Sequence, residues 1–153
     1  MATLRDNPYP AFNFIVALGG DTGSGDEGTI VGGFSDITGL KFSVQYADYR
    51  NGNEKVNAVR KVQNTFTVDD VTCKRGVIGS TDLFDWLQDV SRGTVDVRTV
   101  TVSLLNEARD TVCTWKLLSA QPKSWTGPSL AGKGGTDVAM EELVLCCQGI
   151  EFS

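Results

Sequence analysis

The run LKFSVQYA at residues 40–47 alternates apolar and polar side chains, with Leu40, Phe42, Val44 and Tyr46 on one face. That period of two belongs to a half-buried β-strand and fits no helix. Comparable runs recur along the chain: AFNFIVAL (11–18), TIVGGFSDITGL (29–40), TFTVDDVTCKRG (65–76), TVDVRTVTVSLL (94–105), TVCTWKLL (111–118) and TDVAMEELVLCCQGIEF (136–152). A single stretch, GSTDLFDWLQDVSRG (79–93), carries a helical stripe, formed by Leu83, Leu87 and Val90 and widened by Phe84 and Trp86. Ser80 or Thr81 can cap it, Asp82 and Asp85 suit the positive end of its dipole, and Gly93 suits its C-terminal stop.

These patterns predict a mainly β domain of about seven strands over residues 1–153. Two packed antiparallel sheets or a partly closed β-barrel are expected, with one flanking helix at about 80–92. Phe42, Val44, Leu83, Trp86, Leu87 and Trp115 are the expected structural core. Three irregularities are expected within the strands. Gly32-Gly33 marks a bulge or bend. The apolar phase slips at Asp69-Asp70, which reads as a β-bulge. It shifts again between Val95/Val97 and Val100/Val102/Leu104. SAQPKSWTGPSLAGKGG (119–135) reads as a loop, because Pro and Gly punctuate it. The final strand is apolar on both faces from Leu143 to Cys147, as if covered on both sides.

VQYADYRNGNEKVNAVRKV (44–62) is too polar for a core and has Asn-Gly-Asn at its tip. It predicts a long protruding β-hairpin at about 44–64. An isolated hairpin is only marginally stable in water, so this arm is expected to gain order only against a neighbour. Tyr46 and Tyr49 would give amphipathic contacts there, and Arg50, Glu54, Lys55, Arg60 and Lys61 complementary charge pairs. The competing reading of the arm is a disordered surface loop.

The chain contains no histidine. That removes Ser-His-Asp and Cys-His nucleophile systems and most zinc sites. Cys73, Cys113, Cys146 and Cys147 lack CxxC spacing and read as reduced, small hydrophobic residues. Asp69-Asp70 and Glu141-Glu142 are neighbours whose side chains leave a strand on opposite faces, so neither pair converges on one substrate. GGDTGSGDEG (19–28) lacks the Lys-Ser/Thr of a phosphate loop, and Asp21, Asp26 and Glu27 repel phosphate. The net charge of −5 opposes stable nucleic-acid binding. No apolar run reaches the roughly 20 residues of a membrane span. The N-terminus lacks the pattern of a signal peptide, so synthesis in the cytoplasm is expected. No catalytic, metal or cofactor site is expected.

Several segments, in order, resemble the tail-tube proteins of contractile phage tails and contractile injection systems. NPYPAFNFIVAL resembles the opening of that family. GGFSDITGLKFSVQYADYRNGN is similar to its next block: a Gly-Phe-Ser turn, Gly-Leu, an alternating strand, Tyr-Arg and an Asn-rich tip. VRKV resembles the return of its hairpin. VTCKRGVIGSTDLFDWLQDV resembles its Lys-Arg-Gly strand end and Leu-Phe-x-Trp helix. WKLLSAQPKSWTGPSLAGKGGTDVAMEELVLCCQGIE is similar to its Trp-x-Leu strand, Pro-x-x-Trp-x-Gly-Pro loop and acidic last strand. Two segments depart from the pattern: the Gly-rich loop at 19–28 is longer, and KVQNTFTVDD replaces a stretch with Pro-Gly.

The resemblance implies a structural role without catalysis. Homo-hexameric rings stack into a rigid hollow tube, which a surrounding sheath drives through a target envelope. Baseplate and terminator or cap proteins would be further partners, and the lumen would carry DNA or effector proteins. The particle would be a phage tail or a phage-tail-like injection device, either extracellular or membrane-anchored. A ring of six subunits giving four strands each would close a barrel of about 24 strands. At about 4.8 Å spacing and about 45° tilt its backbone diameter is roughly 50 Å. Two alternatives stand beside this reading: a type VI secretion-like hexameric tube protein, and a monomeric carbohydrate- or ligand-binding β domain.

Overall fold

The computed structural model describes residues 4–20 and 30–153. Among them are ten strands and one helix: β1 (Phe14–Gly20), β2 (Ile30–Gly32), β3 (Asp36–Thr38), β4 (Phe42–Tyr49), β5 (Arg60–Val68), β6 (Val71–Gly76), α1 (Asp82–Ser91), β7 (Arg98–Leu105), β8 (Thr111–Thr126), β9 (Met140–Cys146) and β10 (Gly149–Phe152). The chain is mainly β, and among the described residues all pairings are antiparallel and no barrel closes. An eight-stranded sheet runs β2-β1-β7-β8-β9-β6-β3, with β10 also on β8, and β4-β5 form a second sheet of two strands. Gly19 and Gly20 end β1, and residues 21–28 of the Gly-rich loop lie outside the described residues.

The observed strands outnumber the expected seven because several predicted runs are divided. The phase slip at Asp69-Asp70 is not a bulge within one strand. It separates β5 from β6, which lie in different sheets. The last run divides into β9 and β10 at Cys147 and Gln148, yet the register holds across the gap: Gln121 faces Cys146, and Leu118 faces Gly149. Ser119, opposite this gap, has φ of 53° and marks where β8 bends. The first half of β8 lies between β7 and β10, and its second half pairs with β9.

The predicted loop at 119–135 therefore begins too early, since β8 continues to Thr126. Pro122 is accommodated because it sits at a register shift, where a strand tolerates a missing N–H. Val95 and Val97 precede β7, so their phase belongs to the loop after the helix.

One core joins the two halves of the folded sheet. Val16, Leu18, Val100, Val102 and Leu117 come from one half, and Val71, Cys73, Leu143 and Leu145 from the other. Helix α1 closes this core with Leu83 and Trp86, both fully buried, while Leu87 and Val90 are half-buried. Trp86 Nε1 donates to the Asp96 carbonyl at 3.1 Å, and the Arg98 guanidinium lies 4.6 Å from its ring centroid. The helix starts at Thr81, whose hydroxyl bonds the Asp85 carboxylate instead of capping a backbone N–H. It ends in a Schellman motif: Gly93 N–H donates to Val90 O, Thr94 N–H donates to Asp89 O, and Gly93 has φ of 95°. Trp115 is half-buried against the core and stacks on Phe152. In β9, Leu143 and Leu145 are fully buried, whereas Val144 and Cys146 on the other face are half-buried.

Phe42 is the departure among the expected core residues. It is 56% exposed, because β4 has left the body by that point. Val44 is half-buried.

Candidate assembly interface

The arm grows out of the body as the continuation of one ribbon. Thr38 faces Thr72 in β3–β6, and Phe42 faces Val68 in β4–β5, so the register runs through the waist unchanged. The waist holds Gly39, Leu40 and Lys41 on one side and Asp69 and Asp70 on the other. Asp69 N–H donates to Lys41 O there, at 3.2 Å. Gly39 has φ of 94°, and a Cβ on it would lie 2.2 Å from the Asp70 carbonyl oxygen. Only glycine fits this crossing, which turns the ribbon out of the body sheet.

Beyond the waist the ribbon keeps pairing from Phe42/Val68 to Tyr49/Arg60, with a shift between Val44 and Tyr46. Two residues of β5, Asn64 and Thr65, there oppose the single Gln45 of β4, so the bulge lies on β5. Phe42, Val44 and Tyr46 stay on one face, and Phe66 joins them before the bulge. Phe42 and Phe66 pack with ring centroids 5.4 Å apart, and Phe42, Tyr46 and Phe66 are each more than half exposed. Among the described residues no strand pairs with the outer edge of β4 or of β5. The arm thus presents an apolar face and two open edges, the features that attract another chain.

The charges of the arm are mostly used within it. Arg60 pairs with Glu54, and Lys61 with Asp48. Arg50 donates to Val56 O, Glu54 O and Asn57 Oδ1, folding the tip around its guanidinium. Tyr49 donates to Asn51 Oδ1. Lys55 makes no hydrogen bond or ion pair among the described residues. Contacts within one chain therefore define the arm's shape.

The paired acids do not converge. Asp69 pairs with Lys41, and Asp70 with Lys123. Glu142 is half-buried, whereas Glu141 is buried and forms an ion pair with buried Arg75 across β6–β9. Glu141 also accepts from Trp125 Nε1 at 3.2 Å, and Arg75 donates to Ser80 O at 3.4 Å. This bolt ties the start of α1 to the sheet. Sequence patterning missed it, since nothing local signals that Arg75 and Glu141 are cross-strand partners. Above it lies an apolar notch of about 510 Å³, lined by Val77, Phe84, Trp125 and Pro128 among others.

A second contact that the sequence did not signal straps the N-terminal segment to the β7–β8 turn. Arg5 binds Glu107 with both Nη atoms at 3.1 Å and lies 3.9 Å above the Tyr9 ring. The Arg5 hydrogen bond holds the Glu107 carboxyl below the usual range. All four cysteines are free, and burial pushes the Cys73 thiol up to about 12. No group of three or more His, Cys, Asp or Glu side chains able to hold a metal occurs among the described residues. No described helix is long and apolar enough to cross a membrane.

Comparison with known proteins agrees with this architecture. A chain of the sheath–tube complex of the PVC extracellular contractile injection system, in its extended state, is 28% identical, with 97% of this chain and 93% of that one covered at a TM-score of 0.81. A chain of the PVC sheath/tube terminator structure is 29% identical, with 97% and 98% covered and a TM-score of 0.81. A chain of the anti-feeding prophage baseplate shares the fold at 23% identity and a TM-score of 0.84, with 97% of each chain covered. Hcp1 from Flavobacterium johnsoniae is a more distant fold relative, at 12% identity and a TM-score of 0.50, with 91% and 94% covered. No curated protein sequence matches. The profile of the family described as "T4-like virus tail tube protein gp19" matches residues 10–151, nearly the whole length, and the chain belongs to that family.

Proposed function

We propose that this chain is the repeating subunit of the inner tube in a contractile tail or contractile injection system. Subunits close into hexameric rings, and the rings stack into a hollow tube. One observation carries the reading: the β4–β5 arm is a well-formed ribbon with two unpaired edges and an exposed Phe42–Tyr46–Phe66 face, on a body that needs nothing from it. An adjacent subunit that pairs with those edges and covers that face removes both liabilities at once. Tyr46 and Tyr49 then supply amphipathic contacts. Lys55 supplies the charge not already committed, while Arg50, Glu54, Arg60 and Lys61 hold the arm in shape. Charged contacts at a joint of this kind set register more than affinity.

The role is mechanical and needs no catalysis or cofactor. The partners proposed are copies of itself, a sheath around the tube, and baseplate and cap proteins at its ends. The structures it resembles are a sheath–tube complex, a terminator and a baseplate. Subunits would be made in the bacterial cytoplasm and become part of a phage tail or phage-tail-like particle. DNA or effector proteins would pass through the lumen without binding stably to this acidic chain. A type VI secretion-like tube is the second reading; the 28% and 29% identities to the injection-system chains, against 12% to Hcp1, favour the first.

Electron microscopy of purified protein tests this. The intact chain should give rings and stacked tubes. Replacing residues 49–58 with a short Asn-Gly turn should leave the circular dichroism spectrum of the body and abolish tubes. Full-length tubes from this variant would show that residues 49–58 are not part of the joint.

A further inference from the structure

Asn51 and Gly52 form the tip of the arm, in a turn closed by a hydrogen bond from Glu54 N–H to Asn51 O. Asn51 is the sole asparagine of the chain followed by glycine; the others precede Pro8, Phe14, Glu54, Ala58, Thr65 and Glu107. Gly52 is exposed, has no side chain of its own to block approach, and leaves open space where a Cβ would stand. Its N–H donates no hydrogen bond among the described residues. On the other side of the reacting pair, the Tyr49 hydroxyl donates to Asn51 Oδ1 at 2.5 Å. A donor on that oxygen makes Cγ more electrophilic and stabilises the oxyanion that forms when Cγ is attacked.

We propose that Asn51-Gly52 is a self-modification site, at which the Asn51 side chain deamidates with Tyr49 as the activating donor. The Gly52 nitrogen gives its proton to solvent base and attacks Asn51 Cγ, forming a C–N bond. The tetrahedral adduct expels the side-chain nitrogen as ammonia, leaving a five-membered succinimide. Water adds to either ring carbonyl and opens the ring to aspartate or to isoaspartate. The sum is one water consumed and one ammonia released, with no oxidant or reductant. The product adds a negative charge at the tip. In its isoaspartyl form it also carries an extra methylene in the turn backbone that Arg50 and Tyr49 organise.

The chemistry stands without the tube reading. Its consequence rests on that reading: tips of unassembled subunits age, whereas tips covered by a neighbour are protected. Asn57 is an internal control, since Arg50 donates to its Oδ1 but Ala58 follows it.

The test incubates unassembled subunits, taken from the single-subunit fraction, in mildly alkaline buffer and follows two tryptic peptides by tandem mass spectrometry: residues 51–55, which hold Asn51 and Asn53, and residues 56–60, which hold Asn57. Isoaspartate is confirmed with protein isoaspartyl methyltransferase. Asn51 should convert about tenfold faster than Asn53 or Asn57, and Tyr49→Phe should slow it about tenfold, at an unchanged melting temperature. Asn51 converting no faster than Asn53 and Asn57, or Tyr49→Phe converting at the parent rate, overturns the proposal. Micrographs taken before incubation score the tube reading independently. Unassembled subunits in which Asn51 does not convert refute this proposal alone, and subunits that convert but never form tubes refute the tube reading alone.

Discussion

Strands β5 and β6 are consecutive stretches of one ribbon, yet they live in opposite environments. Every residue of β5 before Val68 is exposed, whereas Val71, Cys73 and Arg75 of β6 are buried. Register does not distinguish them, because β3–β6 and β4–β5 pair without slippage across the waist. Apolar patterning does not either: Phe42, Val44, Tyr46 and Phe66 line one face of the arm as regularly as Val71 and Cys73 line one face of the body. The difference is what each face meets. The β6 face meets β1, β7, β8, β9 and α1 within its own chain, and the arm face meets water. A face so regular and so uncovered is the one that the proposed contact with another subunit would cover.

The strongest way to separate the two regions is to damage the body. Trp86→Ala should cost about 3–5 kcal/mol, since it empties the space of a fully buried indole and orphans the Asp96 carbonyl. The melting temperature should drop sharply, and an unchanged one would show that α1 does not seal the core.

Damage at the waist should hit geometry harder than stability. Gly39→Ala forces a Cβ against the Asp70 carbonyl at a positive φ, a strain of about 1–3 kcal/mol. The body should survive with a modest fall in melting temperature, while the arm is re-aimed and stacked tubes are lost. Tubes of normal length from this variant would mean that the angle of the arm does not matter.

The N-terminal strap offers the smallest effect. The Glu107 carboxyl is held below its ordinary range by Arg5, so its contribution is present above the unfolded-state value and fades as pH falls through the folded one. NMR titration of Arg5→Ala should move Glu107 up toward the ordinary carboxylate range and leave assembly at neutral pH unchanged. A titration identical to the parent would show that the pair does not form in solution.

Parts of this contrast were legible in the sequence. The helix was, because Leu83, Trp86 and Gly93 carry local signals of stripe and stop. So was the arm, because alternation at Phe42–Tyr46 runs directly into a polar Asn-Gly tip. What was not legible is what covers a face. Alternation put Phe42 in the core because it records sidedness, and sidedness is the same whether the cover comes from this chain or another. The change of sheet at Asp69-Asp70 looked like a bulge for a related reason: both shift the apolar phase, and only pairing partners tell them apart. Pro122 concealed the second half of β8, since a proline at a bulge and a proline in a loop read alike. The Arg75–Glu141–Trp125 bolt is non-local and has no linear signature.

The central claim is that the body is self-sufficient and that the arm face exists for another copy of this chain. Its most direct test is the pair of substitutions Phe42→Asp and Phe66→Asp in one chain, measured by melting temperature and by sedimentation velocity with electron microscopy. The account predicts a melting temperature close to the parent's and a particle that stays a single subunit, with no rings or tubes. Tubes at the parent's yield, or a melting drop as deep as that of Trp86→Ala, would contradict it.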